Sequence, residues 1–184
     1  MEFFCYHRDR AGSTPLRNEM VEQHWSYMDR FAASMIARGP TFTDDGTLTG
    51  SVHILDLPDP AAARAFAFEE PGYQAGAYRD VMLRRWHDPL GRTMWDFTGG
   101  RPDRHRYLVL GFTPEPVAEA TGLPPDDEVT VILGGRLLSD EGSSFLGAAV
   151  LLEAPDAVTA RAVLPADRYV GVEVHRWRFG GRPE

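Results

Sequence analysis

The stretch "PDPAAARA" beginning at Pro58 returns as "PDAVTARA" beginning at Pro155, with Pro, Asp, Ala, Arg and Ala in the same order. The likeness extends well beyond these eight letters. "RGPTFTDDGTLTGSVHILDLPDPAAARA" (38–65) aligns with "GGRLLSDEGSSFLGAAVLLEAPDAVTARA" (134–162), "VMLRRW" (81–86) with "VEVHRW" (172–177), and the apolar opening "FFCYH" (3–7) with "RYLVLGF" (106–112). Three elements in register make a tandem repeat, so the 184 residues are read as two half-chain units rather than one continuous fold. The boundaries expected are 1–88 for the first unit, 105–184 for a degenerate second one, and 89–104 between them. That intervening segment holds Pro89, Gly91, Gly99, Gly100 and Pro102 as a linker would, yet Met94, Trp95 and Phe97 suit a packed lid.

In the first copy "FFCYH" is apolar without alternation, the mark of a strand buried on both faces. Thr14 as a cap and Pro15 in the first turn open a long helix, and Gly39 with Pro40 supplies its stop. Leu16, Met20, Tyr27, Phe31 and Met35 form one apolar stripe along it, and His24 lies on that stripe. An extra strand is expected around Thr41 to Thr43, followed by the strand "SVHILDL" (51–57). Asp59 and Pro60 start a short helix through Ala63 and Phe66, and the alternating "YRDVMLRRW" (78–86) closes the unit as a strand. That order is the split βαβ of ferredoxin-like folds. A four-stranded sheet with helices on one face leaves its other face apolar, and a fused copy can cover it from within the same chain. The fold class expected is therefore α+β, with tandem ferredoxin-like units forming an intramolecular dimeric α+β barrel, either as a monomeric pseudo-dimer or as a homodimer.

Composition narrows the partners. A net charge of −8 opposes attraction to phosphates, so neither nucleic acid nor an anionic membrane is expected. No apolar run approaches the roughly 20 residues of a membrane span. The opening "MEFFCYHRDR" lacks the basic and long apolar regions of a signal peptide, which makes the cytoplasm the expected location. Cys5 is the only cysteine and is read as a small buried hydrophobe. The six histidines show neither H-x-x-x-H spacing nor a companion cysteine cluster, and no G-x-G-x-x-G or P-loop occurs, so no metal and no cofactor are expected. "HRD" at 7–9 has none of the other parts of a kinase site. A small-molecule substrate remains as the partner.

Several motifs together carry a resemblance. They are the opening strand ending at Asp9, Arg17 in the early helix, "QHWSYM" (23–28) with His24, "ARGP" (37–40), "TGS" (49–51) and "EPGYQAGAYRDV" (70–81). In their order and spacing the chain resembles the YCII-related (YciI-like) family of the dimeric α+β barrel group, well over 1–86 and weakly over 105–180. The resemblance implies cofactor-free chemistry on small, often hydroxylated aromatic molecules by a recurring His and Asp, carried here onto His24 and Asp9. Such sequences usually have Asp-Pro-Tyr where this one has Glu70-Pro71-Gly72-Tyr73, which leaves Glu70 as a reserve acid with a longer reach.

A helix packed on the sheet is expected to bring the His24 ring toward Asp9 at the open end of the first strand. The carboxylate would hold one ring tautomer and leave the other nitrogen to take a proton from a phenol, an enol or a carbon next to a carbonyl. The function expected is a lyase, isomerase or cyclase acting on a hydroxylated aromatic or polyketide-like compound. The alternative is a non-catalytic small-molecule-binding or interaction module. Arg17, Ser51 and His53 are expected to line the cavity, the latter two from one strand face. Trp25, Tyr27 and Tyr78 can stack on an aromatic ligand, with core packing as their competing role. Asp44, beside Asp45 and Gly46, reads as a solvated turn and stands as a second reserve acid. In the second copy Phe112 or Thr113 occupies the place of Asp9, no histidine lies between 106 and 174, and the first helix is cut down. One active site is expected, in the first copy, with the second as a wall.

Overall fold

A computed structural model describes residues 1–117 and 128–182 of the chain, which divides into two compact units. The first unit is Met1–Arg84 with Phe179–Glu184. Its elements run β1 (Glu2–Asp9), α1 (Thr14–Glu19), α2 (Val21–Asp29), β2 (Met35–Phe42), β3 (Leu48–Asp56), α3 (Pro60–Phe68), α4 (Pro71–Gln74) and β4, which spans Tyr78–His87 and leaves the unit after Arg84. β3 lies antiparallel between β1 and β2, with Ser51 opposite both His7 and Pro40. β4 flanks the other edge of β1. There the Arg10 amide donates to the Ala77 carbonyl at 2.9 Å, and Arg8 Nε meets Asp80 at 2.6 Å. The strand order β4-β1-β3-β2 is that of a ferredoxin-like sheet.

Period two decides which side chains meet the helices. Phe3, Cys5 and Leu55 form one core with Met35 of β2, Tyr27 and Met28 of α2, and Ala63, Phe66 and Ala67 of α3. His7 and Asp9 follow Cys5 on the same strand face, and Ser51 and His53 precede Leu55 on theirs. α3 starts as expected, with the Asp59 carboxylate accepting from the Ala62 amide at 2.8 Å. Gly50 of the "TGS" motif has a steric reason, since a Cβ there would stand 2.4 Å from the His7 carbonyl oxygen.

The long helix expected to run from Thr14 to Gly39 is a correction. Met20, at φ −88° and ψ 1°, separates two short helices, a 3-10 turn covers Ala32–Ser34, and residues 35–42 are strand. Burial alternates residue by residue along "MIARGPTF", so period two governs this stretch, and Gly39 and Pro40 sit inside β2 rather than stopping a helix. The three-to-four spacing of Tyr27, Phe31 and Met35 misled because the chain leaves the helix, turns, and returns Met35 to the same core from the sheet. Thr14 is the first helical residue, and the cap position belongs to Ser13, whose side chain makes no capping hydrogen bond.

The second unit is Arg85–Arg178, with β5 (His105–Val117), β6 (Thr130–Leu138), β7 (Phe145–Ala154), α5 (Ala157–Ala162) and β8 (Val170–Trp177). Its order β8-β5-β7-β6 repeats that of the first unit, and Asp156 caps α5 on the Thr159 amide at 2.8 Å as Asp59 caps α3. Residues 118–127, where the cut-down first helix was expected, lie outside the described residues. Within this unit Arg85–His87 pair with Arg136–Leu138 of β6. Between His87 and β5, Met94 is buried, Arg92 donates to the Val131 carbonyl at 2.7 Å, and the Arg106 guanidinium lies 6.0 Å from the Phe97 ring. Among the described residues no helix is long and apolar enough to cross a membrane.

The strand registers fix which residues correspond. Gly50 stands opposite Arg8, and its repeat mate Gly147 stands opposite Phe112, so Thr113 takes the place of Asp9. By the same count Gly111 replaces His7 and Val150 replaces His53. The second copy has kept the sheet and replaced the polar residues of the first with small or apolar ones.

Candidate active site

The structure pairs His24 with Glu70 and Asp9 with Arg17, so the expected His24–Asp9 pairing is corrected. α2 presents the His24 ring with Nδ1 2.8 Å from Glu70 Oε1. Glu70 is the N-cap of α4, its second oxygen accepts from the Tyr73 amide at 2.7 Å, and its side chain is wholly buried. Burial alone would raise the pKa of this carboxyl, but the hydrogen bond and charge of His24, then His7 and the Tyr73 amide, outweigh it and hold the pKa below the ordinary value. An ionised carboxylate accepts only, so Nδ1 of His24 carries a proton toward it, and in the neutral form of the ring Nε2 is the acceptor. The extra methylene of glutamate relative to aspartate is accommodated by Gly72. A Cβ there would lie 3.0 Å from both Glu70 Oε2 and the Tyr78 hydroxyl. Gly72→Ala is therefore expected to displace the Glu70 carboxylate, and a crystal structure of that variant with the contact to His24 unchanged would contradict this role for the glycine.

Asp9, at the end of β1, accepts from Arg17 Nη1 at 2.5 Å, and Arg17 Nη2 donates to Ser51 Oγ at 2.8 Å. The Arg17 guanidinium also lies 5.1 Å from the centre of the Tyr78 ring. Both members of the ion pair are enclosed, with 11% of the Arg17 and 5% of the Asp9 side chain exposed, and Asp9 Oδ2 has no partner. Burial raises the Asp9 pKa in spite of Arg17. Burial would lower that of Arg17, but its neighbours Tyr78, Asp9 and Glu70 raise it. Desolvation likewise pushes the Tyr78 phenol well up, so it is a neutral wall. Arg17, Met20, Val21, His24, Glu70 and Tyr78 enclose a cavity of about 30 Å³, the space of one water molecule.

His53 and His7 stand behind His24, at ring separations of 5.7 Å from His24 to His53 and 6.0 Å from His53 to His7. His53 is buried, its Nδ1 lacks a partner, and burial followed by the charges of His24, His7 and Arg17 depresses its pKa. His7 was not expected to matter. Its signal was its place two residues after Cys5 and two before Asp9 on one strand face. Its Nε2 donates to the Ala67 carbonyl at 2.7 Å, and its Nδ1 accepts from the Cys5 thiol at 3.7 Å. That arrangement needs a neutral ring, and burial pushes the His7 pKa down to about 4.

A histidine whose folded pKa is lowered contributes stability above its unfolded value, and that stability is lost as pH falls toward the folded one. With a folded pKa near 4, His7 alone should cost about 2 kcal/mol on going from pH 8 to pH 5. Urea unfolding at the two pH values measures it. The His7→Gln protein should lose that part of the pH dependence, and an unchanged pH dependence would assign the acid sensitivity elsewhere.

The remaining expected residues lie elsewhere. Tyr27 is a core residue whose hydroxyl donates to the Ala65 and Phe66 carbonyls at 3.2 Å, and its pKa rises to about 12 through burial. Trp25 lies under the Arg182 guanidinium, 5.6 Å from it, rather than against the cavity. Asp44 is exposed in the turn, where the neighbouring Asp45 accepts from the Thr47 amide at 3.0 Å. Among the described residues no three His, Cys, Asp or Glu side chains gather as metal ligands.

Comparison with solved structures places the fold in the dimeric α+β barrel group. A provisionally named chlorite dismutase aligns at TM-score 0.53 and 11% identity over 97% of this chain and 95% of its own. A provisionally named monooxygenase from Lactobacillus acidophilus NCFM aligns at 0.50 and 6% over 96% and 93%. A 5-chloro-2-hydroxyhydroquinone dehydrochlorinase from Burkholderia phenoliruptrix AC1100, solved with 2,5-dihydroxybenzoquinone, is 28% identical over 50% of this chain and 99% of its own, at TM-score 0.46. No curated protein matches the chain significantly. The model of the YCII-related domain family matches residues 1–87, the span that carries His24, Glu70, Arg17 and Asp9.

Proposed function

We propose that the first unit is a cofactor-independent acid/base catalyst of the lyase, isomerase or cyclase type, acting on a hydroxylated aromatic or polyketide-like small molecule. His24 is its base and Glu70, in place of Asp9, is the carboxylate that orients it. The observation that carries this reading is the 2.8 Å contact between His24 Nδ1 and a wholly buried Glu70 carboxylate, at the wall of a cavity that Arg17 also lines.

Nε2 of His24 takes the proton of a phenol, an enol or a carbon next to a carbonyl, and the imidazolium so formed is stabilised by the Glu70 charge. The electron pair left behind moves onto the substrate oxygen, which faces Arg17. Asp9 and Ser51 fix the guanidinium from behind and leave its other N–H groups for that oxyanion. The imidazolium then returns its proton at another atom of the same molecule, or to a departing group. Asp9 is a positioning residue for Arg17 in this scheme. An aromatic ring exceeds a space of about 30 Å³, so Met20 and Val21 at the junction of α1 and α2 must yield on binding. A module that only bound its ligand would need no buried carboxylate behind the ring.

The test follows carbon-bound protons in heavy water. Resorcinols, hydroxyhydroquinones and 1,3-diketones are incubated with the protein, and their proton signals are followed by NMR. At least one is expected to lose a signal faster than in buffer. Exchange at the buffer rate for every member, by protein shown to be folded, would contradict the proposal.

A further inference from the structure

We propose that the second unit holds a binding site of its own for a hydroxylated aromatic acid, at the corner that corresponds to the active site of the first. A cleft of about 460 Å³ opens there, lined by Thr113, Glu115, Val117, Phe145, Arg168 and Tyr169 among others. That volume lies within the roughly 300–1,000 Å³ usual for small-molecule sites. Thr113 stands where Asp9 stands in the first unit, and Tyr169 stands where Tyr78 does, three residues ahead of the matched strands "VEVHRW" and "VMLRRW".

The class of ligand follows from what the corner has lost and what it leaves unmet. Replacement of Asp by Thr removes the carboxylate that neutralises Arg17 in the first unit. Arg168 is exposed and has no carboxylate partner among the described residues. An anionic group on the ligand therefore meets a cation that is not already neutralised. Phe145 and Tyr169 are both nearly buried, with rings edge to face at 6.4 Å, and offer an aromatic wall. Thr113 lines the cleft, and its Oγ1 is buried without a partner. Glu115 adds a second acceptor, for a donor on the ligand. An aromatic ring with one carboxylate and one hydroxyl satisfies this set, the carboxylate on Arg168 and the hydroxyl donating to Thr113 or Glu115.

The test is an NMR titration of the full chain with 4-hydroxybenzoate. Saturable shifts are expected at Thr113, Phe145 and Tyr169, and they should persist in the His24→Gln protein, which separates this site from the one in the first unit. Arg168→Gln should weaken binding about tenfold, as loss of a charge-assisted hydrogen bond does. The uncharged 4-hydroxybenzyl alcohol should bind the parent and Arg168→Gln proteins equally weakly. Shifts confined to Arg17, His24 and Tyr78, shifts that never saturate, or an affinity untouched by Arg168→Gln would each overturn the proposal.

Discussion

His24→Gln is expected to slow proton removal from an exchanging substrate by roughly two to four orders of magnitude, because glutamine keeps a polar side chain on α2 but has no nitrogen lone pair to take a proton. Glu70→Gln should cost about as much by another route. A glutamine amide can donate to Nδ1 as readily as accept from it, and donation moves the ring proton to Nε2, the atom that must be bare. Asp9→Asn should cost less than either, since it reaches the chemistry only through Arg17. The rates of heavy-water exchange for the three variants give this order directly. If His24→Gln exchanges at the parent rate and only melts at a lower temperature, the ring is a core residue.

Arg17→Met should be the most destabilising single change in the first unit. It strands Asp9, 95% enclosed with one oxygen already unpartnered, as an isolated buried charge, and breaking such a pair from one side typically costs about 3–5 kcal/mol. Asp9→Asn in the same chain should restore most of the loss. The sign with pH is also fixed. Burial raises the Asp9 pKa and Arg17 offsets part of that rise, so without Arg17 the folded-state pKa lies higher still and ionisation of Asp9 costs the variant more stability as pH rises. The Arg17→Met protein should therefore regain stability relative to the parent as pH falls from 7 toward 5, against the trend set by His7. Urea midpoints for the parent, both single variants and the double variant measure the coupling, and additive losses would show that Asp9 does not depend on Arg17.

The repeat was the most legible part of the sequence because it is covalent text, and its two sheets have the same strand order for the same reason. The Asp59 cap was legible too, being a contact between neighbours three residues apart. The first helix was misjudged where two periods overlap, at Phe31 and Met35, since a spacing of four fits both a helix and a chain that turns back into a strand. In the site, His24 could be singled out but its partner could not. Forty-six residues separate it from Glu70, and only the packing of α2 beside α4 brings them together. Glu70 was held in reserve because its extra methylene was weighed without Gly72, whose missing Cβ makes the room. His7 was passed over because a buried histidine saturated by a carbonyl and a thiol leaves no motif behind, only a place in a period of two.

The state of the His24 ring itself can be observed directly. A long-range proton–nitrogen NMR spectrum of the uniformly labelled protein distinguishes the two neutral tautomers by the nitrogen that carries the proton. The neutral His24 ring should carry its proton on Nδ1, with Nε2 bare and responsive to an added phenol, and Glu70→Gln should disturb that preference. A ring protonated on Nε2 in the parent protein, or one indifferent both to phenols and to the loss of the Glu70 charge, would contradict the assignment of His24 as a base held by Glu70.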